Sequence, residues 1–223
     1  PGHEHLIDST TFLELEDLPR RVLFIGGGFV SFEFAHIAAR AGARPVIIDR
    51  GTRPLKGFDR DLVELLVARG ADAGIEVRAE TTITAIERAG SGYRITLDTA
   101  GNRTEIEVDL VVHGAGRIPQ LSELALDAAN VAHGSEGVTV AGHLQSTTNP
   151  SVYAAGDAAD TPGAPLTPVA VSEGKVAASN MLKGTTTTPD YAGVPTAVFT
   201  IPELVRVGLL EDDLVRRLRC AQT

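Results

Sequence analysis

Residues 22–33 of the chain have the sequence VLFIGGGFVSFE, and this stretch decides the fold. The apolar run at 22–25 is short and uninterrupted, which is typical of a strand buried on both faces of a parallel sheet. Three glycines follow it, and residues 29–41 are compatible with a helix that ends at Gly42. The stretch therefore predicts a strand, a glycine turn and a helix in direct succession.

The glycine turn has the chemistry of a diphosphate site. A diphosphate is anionic and binds backbone N–H groups at the N-terminus of a helix. Gly26 allows the tight turn, and Gly28 allows phosphates to approach the main chain. The third small position is Ser31, a departure from the pattern G-x-G-x-x-G that still leaves room for helix–strand packing. This context predicts dinucleotide binding; the alternative is an ordinary glycine-rich turn.

Polar residues after the next predicted strand, 45–48, should select the dinucleotide. A carboxylate there accepts a hydrogen bond from the ribose 2′-OH of NAD, whereas arginines pair with the 2′-phosphate of NADP. Asp49 is the acidic candidate. The loop behind it carries Arg50, Arg53 and Lys56. Because clustered cations repel one another unless an anion neutralises them, the loop favours NADPH, with NADH possible. Arg53 alone is interpreted as a solvated surface charge.

The rest of the chain predicts further α/β structure with one interruption. From residue 82 the apolar period changes to two, which predicts an antiparallel meander where a βαβ array would place a helix. A helix capped by Ser9–Thr11 is expected near the N-terminus. The other expected elements are a helix at 59–73, a strand at 75–77, meander strands at 82–86, 93–97 and 105–108, buried strands at 110–112 and 152–155, and a helix at 169–182.

Two further positions carry candidate polar contacts. Glu33 lies one helical turn past the glycines in an otherwise apolar helix, where a charge needs a partner. It either meets a lysine or a nicotinamide amide, or it is a surface carboxylate. Gly156 and Asp157 end the predicted strand 152–155. The aspartate can accept hydrogen bonds from sugar or ribityl hydroxyls, and the alternative is a common turn.

Composition limits the classes of function. The chain carries 20 Lys+Arg against 29 Asp+Glu, and this net charge of -9 argues against a nucleic-acid partner. No apolar run has the length of a membrane span and no leader pattern opens the sequence, so no membrane partner is expected. The single cysteine, Cys220, excludes an internal disulfide and fits a cytoplasmic location. The histidines, including His3 and His5, are assigned no metal site.

Four motifs identify a family. They are GGGFVSFE at 26–33, GAGRIP at 114–119, VYAAGD at 152–157 and LTPVA at 166–170. In this order and spacing the chain resembles the FAD-dependent pyridine nucleotide–disulfide oxidoreductases over essentially its whole length. The resemblance is greatest to the glutathione and trypanothione reductase branch, with dihydrolipoamide dehydrogenase and mercuric reductase nearby.

The resemblance implies roles for individual residues. Phe29, next to Val30, would gate the nicotinamide pocket, and Glu33 would orient the nicotinamide amide. Arg50 and Lys56 fall on two basic positions that hold the 2′-phosphate in NADPH-using relatives, whereas Asp49 falls where NAD-using relatives carry an acid. The remaining implied cofactor contacts are Ala115 and Gly116 along the nicotinamide–adenosine path, Gly156 and Asp157 at the FAD ribityl–pyrophosphate region, and Leu166 and Thr167 beside the isoalloxazine. No catalytic residue is assigned.

The resemblance also implies a central fragment of such an enzyme. The family's first FAD-binding unit, redox-active cysteine pair and terminal His-Glu pair have no counterpart in the sequence. The expected fold is α/β, a Rossmann-like parallel sheet with a β-meander crossover plus part of a second, FAD-binding domain. The expected segments are a lead-in at 1–20, an NAD(P)H-binding domain at 21–117, the second FAD segment at 118–189 and the start of a truncated interface domain at 190–223.

The implied parent enzyme is a homodimer that passes hydride from NAD(P)H to FAD and on to a disulfide or other small acceptor. The fragment itself is expected to bind the nicotinamide dinucleotide without turnover, and FAD weakly or not at all. One alternative is a stand-alone dinucleotide-binding module or redox sensor. Another is a structural relic that keeps the glycines but binds no ligand.

Overall fold

The computed structural model describes residues 1–220 and divides into two units. Unit 1 comprises Pro1–Gly116 and the described residues from Ala197 onward, and unit 2 comprises Arg117–Thr196. The last three residues of the expected interface segment, 221–223, lie outside the described residues. The segment boundaries drawn from the sequence stay a prediction.

Unit 1 opens with a short helix and continues as an alternation of strands and helices. Its elements up to Gly116 are α1 (Ser9–Leu13), β1 (Arg21–Ile25), α2 (Phe29–Arg40), β2 (Arg44–Ile48), α3 (Arg60–Asp72), β3 (Glu76–Arg78), β4 (Thr81–Ala89), β5 (Gly92–Thr99), β6 (Asn102–Val108) and β7 (Leu110–His113). A parallel sheet has the order β3-β2-β1-β7, and a separate antiparallel sheet has the order β4-β5-β6. The expected α/β class, with a parallel sheet and a meander, is confirmed.

Strand β1 is buried on both faces of the parallel sheet. On one face, Val22 and Phe24 join the core formed with α2 and α3. On the other face, Leu23 packs in a second cluster with apolar residues of the meander. All three side chains are 0% exposed, which explains why this strand is an unbroken apolar run rather than an alternating one.

Helix α1 packs on the first of these cores through one aromatic side chain. The ring of Phe12 lies 5.4 Å from that of Phe24 in an edge-to-face arrangement and 4.9 Å from that of Phe34 in a stacked one. The expected cap at Ser9–Thr11 is wrong by one residue. Asp8 precedes the helix in an extended conformation, and its carboxylate accepts a hydrogen bond from the Thr11 N–H at 2.8 Å.

From Ala197 the chain contributes again to unit 1. The elements there are β11 (Pro195–Val198), β12 (Leu204–Val207) and α5 (Glu211–Cys220). Strand β11 begins two residues before Ala197. Strands β11 and β12 pair with each other. Residues after β11 are held to α2, because Nδ1 of the buried His36 accepts a hydrogen bond from the Ile201 N–H at 3.3 Å. Sequence analysis assigned no role to His36, whereas in the structure its hydrogen bond connects α2 to the residues that follow β11.

Unit 2 is poorer in regular structure. Its elements are β8 (His133–Gly134), β9 (Gly137–Thr139), β10 (Ala159–Asp160) and α4 (Thr167–Lys183). The buried strand expected at 152–155 is wrong. Only an isolated bridge joins Tyr153 to Gln145, and these four residues are half-buried, because too few backbone partners lie alongside to form a ladder. In residues 1–220, no helix has the length and apolarity needed to cross a membrane.

Acid should destabilise unit 1 through His36. Burial, reinforced by the nearby charge of Arg40, lowers the pKa of His36 below its usual 6.5. The unfolded chain therefore takes up the proton first, so the stability contributed by neutral His36 is complete above pH 6.5 and is lost as the pH falls below it. A proton on Nδ1 also removes the acceptor for Ile201.

We expect the wild type to lose more free energy of unfolding than His36→Asn between about pH 7.5 and about pH 5.5, measured by urea unfolding with far-UV circular dichroism. The control is His3→Asn, because His3 is exposed at the N-terminus. Its pH dependence should match that of the wild type. An identical pH dependence in the wild type and His36→Asn would contradict the assignment.

Candidate dinucleotide site

The glycine turn lies at the carboxyl end of β1, beside the end of β7. Gly26 has a φ of +101°, and a side chain there would lie 2.6 Å from Cα of Ala115 and 2.8 Å from the carbonyl oxygen of Gly114. The Gly26 N–H donates to the carbonyl of Ile48 at 2.8 Å. Both the backbone conformation and the lack of space require glycine at this position.

The amides at the start of α2 are available to a ligand. Gly28 is the N-cap of this 12-residue helix and caps it with no side chain. In the described part of the chain, no group accepts a hydrogen bond from the N–H groups of residues 27–31. A side chain at Gly28 would meet only the Gly114 carbonyl oxygen, at 3.6 Å. The turn therefore offers open N–H donors at the positive end of a helix dipole, which suits an anion.

Ser31, at the third small position of the motif, has room for its side chain because a glycine, Gly114, follows β7. Ser31 is fully buried, and its hydroxyl lies 3.5 Å from the Ile25 carbonyl. A side chain at Gly114 would collide with the Ser31 hydroxyl. The serine that departs from the usual pattern thus depends on the absence of a side chain at Gly114.

Asp49 and the loop after β2 fold back onto the glycine turn. The Leu55 N–H donates to the Gly27 carbonyl at 2.8 Å. A side chain at Gly27 would collide with the Asp49 carboxylate and lie 2.8 Å from Cβ of Pro54. The structure therefore brings Asp49 beside the turn, where an adenosine ribose lies in folds of this kind.

The three cations of this loop differ in their surroundings. Arg50 and Lys56 are exposed, and neither side chain has a hydrogen-bond or ion-pair partner within residues 1–220. Arg53 is half-buried, and its guanidinium donates to the carbonyls of Phe58 at 3.0 Å and Lys56 at 3.2 Å. The interpretation of Arg53 as a solvated charge is wrong, because it fixes the shape of the loop. Arg50 and Lys56 stay free to meet an anion.

The predicted nicotinamide-side residues lie along the first turns of α2 and after β7. Phe29 is 39% exposed, whereas Val30 is half-buried. The Oε1 atom of Glu33 accepts a hydrogen bond from the Phe199 N–H at 3.0 Å. Its partner in the chain is therefore a backbone amide rather than a lysine. The other implied residues, Ala115 and Gly116, are exposed.

In unit 2, the predicted FAD contacts occupy a turn and the start of a helix. Gly156 has a φ of +64°, and a side chain there would lie 2.8 Å from Cβ of Ala170. Asp157 is exposed and forms an ion pair with Arg117 at 2.8 Å. Leu166 is the N-cap of α4, and the exposed Thr167 is its first residue. The roles of all these residues as cofactor contacts stay a prediction.

A buried glutamate, which sequence reasoning missed, supports the turn at Gly156. Glu173 of α4 is 0% exposed, and its carboxylate accepts from the Gly156 N–H at 2.6 Å, the Thr161 hydroxyl at 2.8 Å and the Tyr191 hydroxyl at 2.7 Å. Burial, together with the bond to Glu173, raises the pKa of Tyr191 above its usual 10.0. Glu173 is the single acidic residue of α4, and this was the available signal.

Comparison with known proteins places these features in one family. A family model described as pyridine nucleotide-disulphide oxidoreductase matches residues 1–174. The chain belongs to this family. The resemblance drawn from the four motifs is thereby confirmed.

Within residues 1–220, no group of three or more histidine, cysteine, aspartate or glutamate side chains is arranged to hold a metal ion.

Relatives of this chain include a glutathione reductase, a dihydrolipoyl dehydrogenase and a mercuric reductase. It is 33% identical over 212 residues to the chloroplastic/mitochondrial glutathione reductase of Pisum sativum, covering 95% of this chain and 38% of that protein. It is 31% identical over 209 residues to dihydrolipoyl dehydrogenase of Bacillus subtilis, covering 93% and 44%. Mercuric reductase of Bacillus cereus is 32% identical over 213 residues, covering 95% and 33%. The chain thus spans less than half the length of these relatives.

Solved structures show the same fold. The Cu(II) complex of the HOCl-induced flavoprotein disulfide reductase RclA from Escherichia coli superposes with a TM-score of 0.85 at 25% sequence identity. The match covers 96% of this chain and 47% of that chain. The chain therefore has the fold of a flavoprotein disulfide reductase over the matched region.

The dependence of Ser31 on Gly114 can be tested by a double-mutant cycle. We expect Gly114→Ala to lower the free energy of unfolding by about 1–3 kcal/mol, because the new methyl group overpacks against the Ser31 hydroxyl. Ser31→Ala alone should change stability little, since the bond to Ile25 is long at 3.5 Å. The double variant should recover at least part of the loss in urea unfolding. Strict additivity of the two single changes would refute the coupling.

The Glu173 network makes a second prediction. Glu173→Ala leaves three partly buried donors without their acceptor, and we expect it to lower the free energy of unfolding by about 3 kcal/mol. Tyr191→Phe removes one donor and leaves the carboxylate bound to Gly156 and Thr161, so it should cost about 1 kcal/mol. Urea unfolding measures both changes. Equal losses in the two variants would show that the carboxylate is not the centre of the network.

Proposed function

We propose that the chain binds a nicotinamide dinucleotide at the glycine turn, with the diphosphate on the N–H groups that open α2. The observation that carries the proposal is the set of unoccupied amides at residues 27–31, together with the open space beside Gly28. A phosphate oxygen accepts hydrogen bonds from such amides without any side-chain cation. Every α-helix begins with N–H groups that have no partner within the helix; at α2 no side chain caps them, and the space beside Gly28 is open to a ligand.

The charges of the following loop support a preference for NADPH. Arg50 and Lys56 have no acidic partner in the described part of the chain, so a 2′-phosphate would relieve their mutual repulsion. Asp49 lies beside the glycine turn and suits the 2′-OH of NADH. The site therefore offers groups for both dinucleotides. We expect the attraction of two cations for the 2′-phosphate to exceed the gain from one carboxylate at the 2′-OH, which favours NADPH.

For the whole protein we propose an FAD-dependent NAD(P)H:disulfide oxidoreductase that acts as a homodimer. In unit 2 the exposed Asp157, oriented by Arg117, has the chemistry to accept hydrogen bonds from ribityl or ribose hydroxyls. FAD, when bound, supplies the hydride acceptor between nicotinamide and disulfide. We propose that this chain alone binds the dinucleotide without turnover and FAD weakly or not at all, since its relatives are more than twice as long.

Calorimetric titration with NADPH and NADH tests the proposal. We expect both to bind, with NADPH the tighter. Arg50→Ala should weaken NADPH binding by about 1–3 kcal/mol, because it removes a charge-assisted contact to the 2′-phosphate, and should leave NADH binding nearly unchanged. The control is Arg103→Ala, which removes an exposed cation on β6. If neither NADPH nor NADH binds, the proposal is rejected. If Arg50→Ala weakens binding of NADPH and NADH equally, the role of Arg50 is rejected.

A further inference from the structure

Asp59, the last residue of the loop after β2, binds a helix other than its own. It is the N-cap of α3, yet within residues 1–220 its side chain forms no capping bond to that helix. Instead, Oδ1 of Asp59 accepts a hydrogen bond from the N–H of Glu211, the first residue of α5, at 2.9 Å. An aspartate at an N-cap ordinarily bonds the helix that it precedes. Here it joins the loop to the returning segment, residues 197–220 of unit 1.

The same end of the loop also contacts β12. Phe58 is 5% exposed and belongs to the same core as Leu204 of β12. Cζ of Arg206 lies 5.9 Å from the centroid of the Phe58 ring. The middle of the loop is held elsewhere, because the Leu55 N–H donates to the glycine turn at 2.8 Å. The loop is therefore fixed at two points, and the returning segment supplies the second.

Two features make the contact between the loop and the returning segment weak. A cleft between α3 and α5 is lined by two arginines and by five acids, which are Asp59, Asp61, Glu64, Glu211 and Asp212. Like charges across the cleft oppose docking of α5. The Nε atom of Arg206 is buried, and among the described residues it has no hydrogen-bond partner, which is unfavourable. A single hydrogen bond can therefore shift the balance between docked and undocked α5.

We propose that Asp59 is a positioning residue of the dinucleotide site, and that its bond to Glu211 couples occupation of this site to docking of α5. The inference rests on the proposed dinucleotide function. Lys56 lies three positions before Asp59, and the Arg53 guanidinium ties this stretch together by donating to the carbonyls of Lys56 and Phe58. A stretch held at Asp59 loses less conformational freedom when Lys56 meets an anion. By linkage, a dinucleotide that orders the loop strengthens docking of α5 by the same factor.

Removal of the acceptor at Asp59 tests this role. We expect Asp59→Ala to raise the Kd for NADPH about fivefold, because the stretch that carries Lys56 is loosened. The Kd for NADH should rise about twofold or less, because backbone hydrogen bonds to the ends of β3 and β4 hold Asp49 separately. Asp59→Asn keeps an oxygen that accepts from the Glu211 N–H, so it should bind NADPH within about twofold of the wild type. Isothermal titration calorimetry measures these affinities.

Removal of the donor tests the same bond from the other side. Glu211→Pro deletes the N–H and leaves Asp59 intact, and proline is well tolerated at the first position of a helix. This variant should weaken NADPH binding about as much as Asp59→Ala does. The double variant should be no weaker than either single variant, because both remove one interaction.

Hydrogen exchange of α5 reports on the coupling itself. Saturating NADPH should slow exchange of the α5 amides in the wild type, measured by mass spectrometry, and this slowing should be lost in Asp59→Ala. A residue that served stability alone would not make α5 respond to a ligand. The matched control is Asp61→Ala, which removes a carboxylate from the first turn of α3 that accepts from the Leu62 N–H. Its affinities and its exchange response should match those of the wild type.

Three results would overturn the inference while the wild type still binds a dinucleotide. They are an Asp59→Ala variant that changes neither affinity or both equally, an Asp59→Asn variant as weak as Asp59→Ala, and exchange of α5 that does not respond to NADPH. The proposed function survives each of these results. If the wild type binds neither NADPH nor NADH, the dinucleotide site itself is rejected, and the role of Asp59 is rejected with it.

Discussion

The close approach of Gly26 to the backbone of Gly114 and Ala115 is the constraint on which the rest of unit 1 depends. It brings the end of β1 against the end of β7 and directs the chain into α2 with its first amides uncovered. Burial of β1 on both faces fixes the strand from which this turn departs. The open N–H groups of the turn, which suit an anion, therefore follow from packing of the main chain, without any charged side chain.

Local patterns in the sequence predicted most of unit 1. Each correctly predicted element depends on residues that are neighbours in sequence, so its pattern can be read within a short stretch of the chain. These elements are the strand–glycine–helix unit, the meander with its change of period, and α3. The prediction of a strand at 152–155 was wrong because an apolar run forms a strand only where other backbone segments pair with it. The cap at Asp8 was missed because aspartate, serine and threonine in succession are all good caps, and only the backbone angles choose among them.

The candidate site was predicted in its residues but not in its contacts. The type and order of its glycines, acids and cations predict a dinucleotide-binding loop. The partners of Ser31, Glu33 and Arg53 are set by the folded structure. Glu33 bonds an amide 166 positions away, and Ser31 of α2 has room only because Gly114, after β7, has no side chain. Such long-range pairs leave no periodic trace in one sequence, whereas Glu173 is visible there as the single acidic residue of α4.

The return of the chain to unit 1 after residue 196 has a consequence for biosynthesis. Glu33 and His36 leave the ribosome long before Phe199 and Ile201, the residues whose amides they bind. During translation these two side chains therefore lack their partners in the chain until all of unit 2 has been made. Completion of unit 1 is thus a late event, governed by the order of synthesis as well as by the stability of the finished sheet.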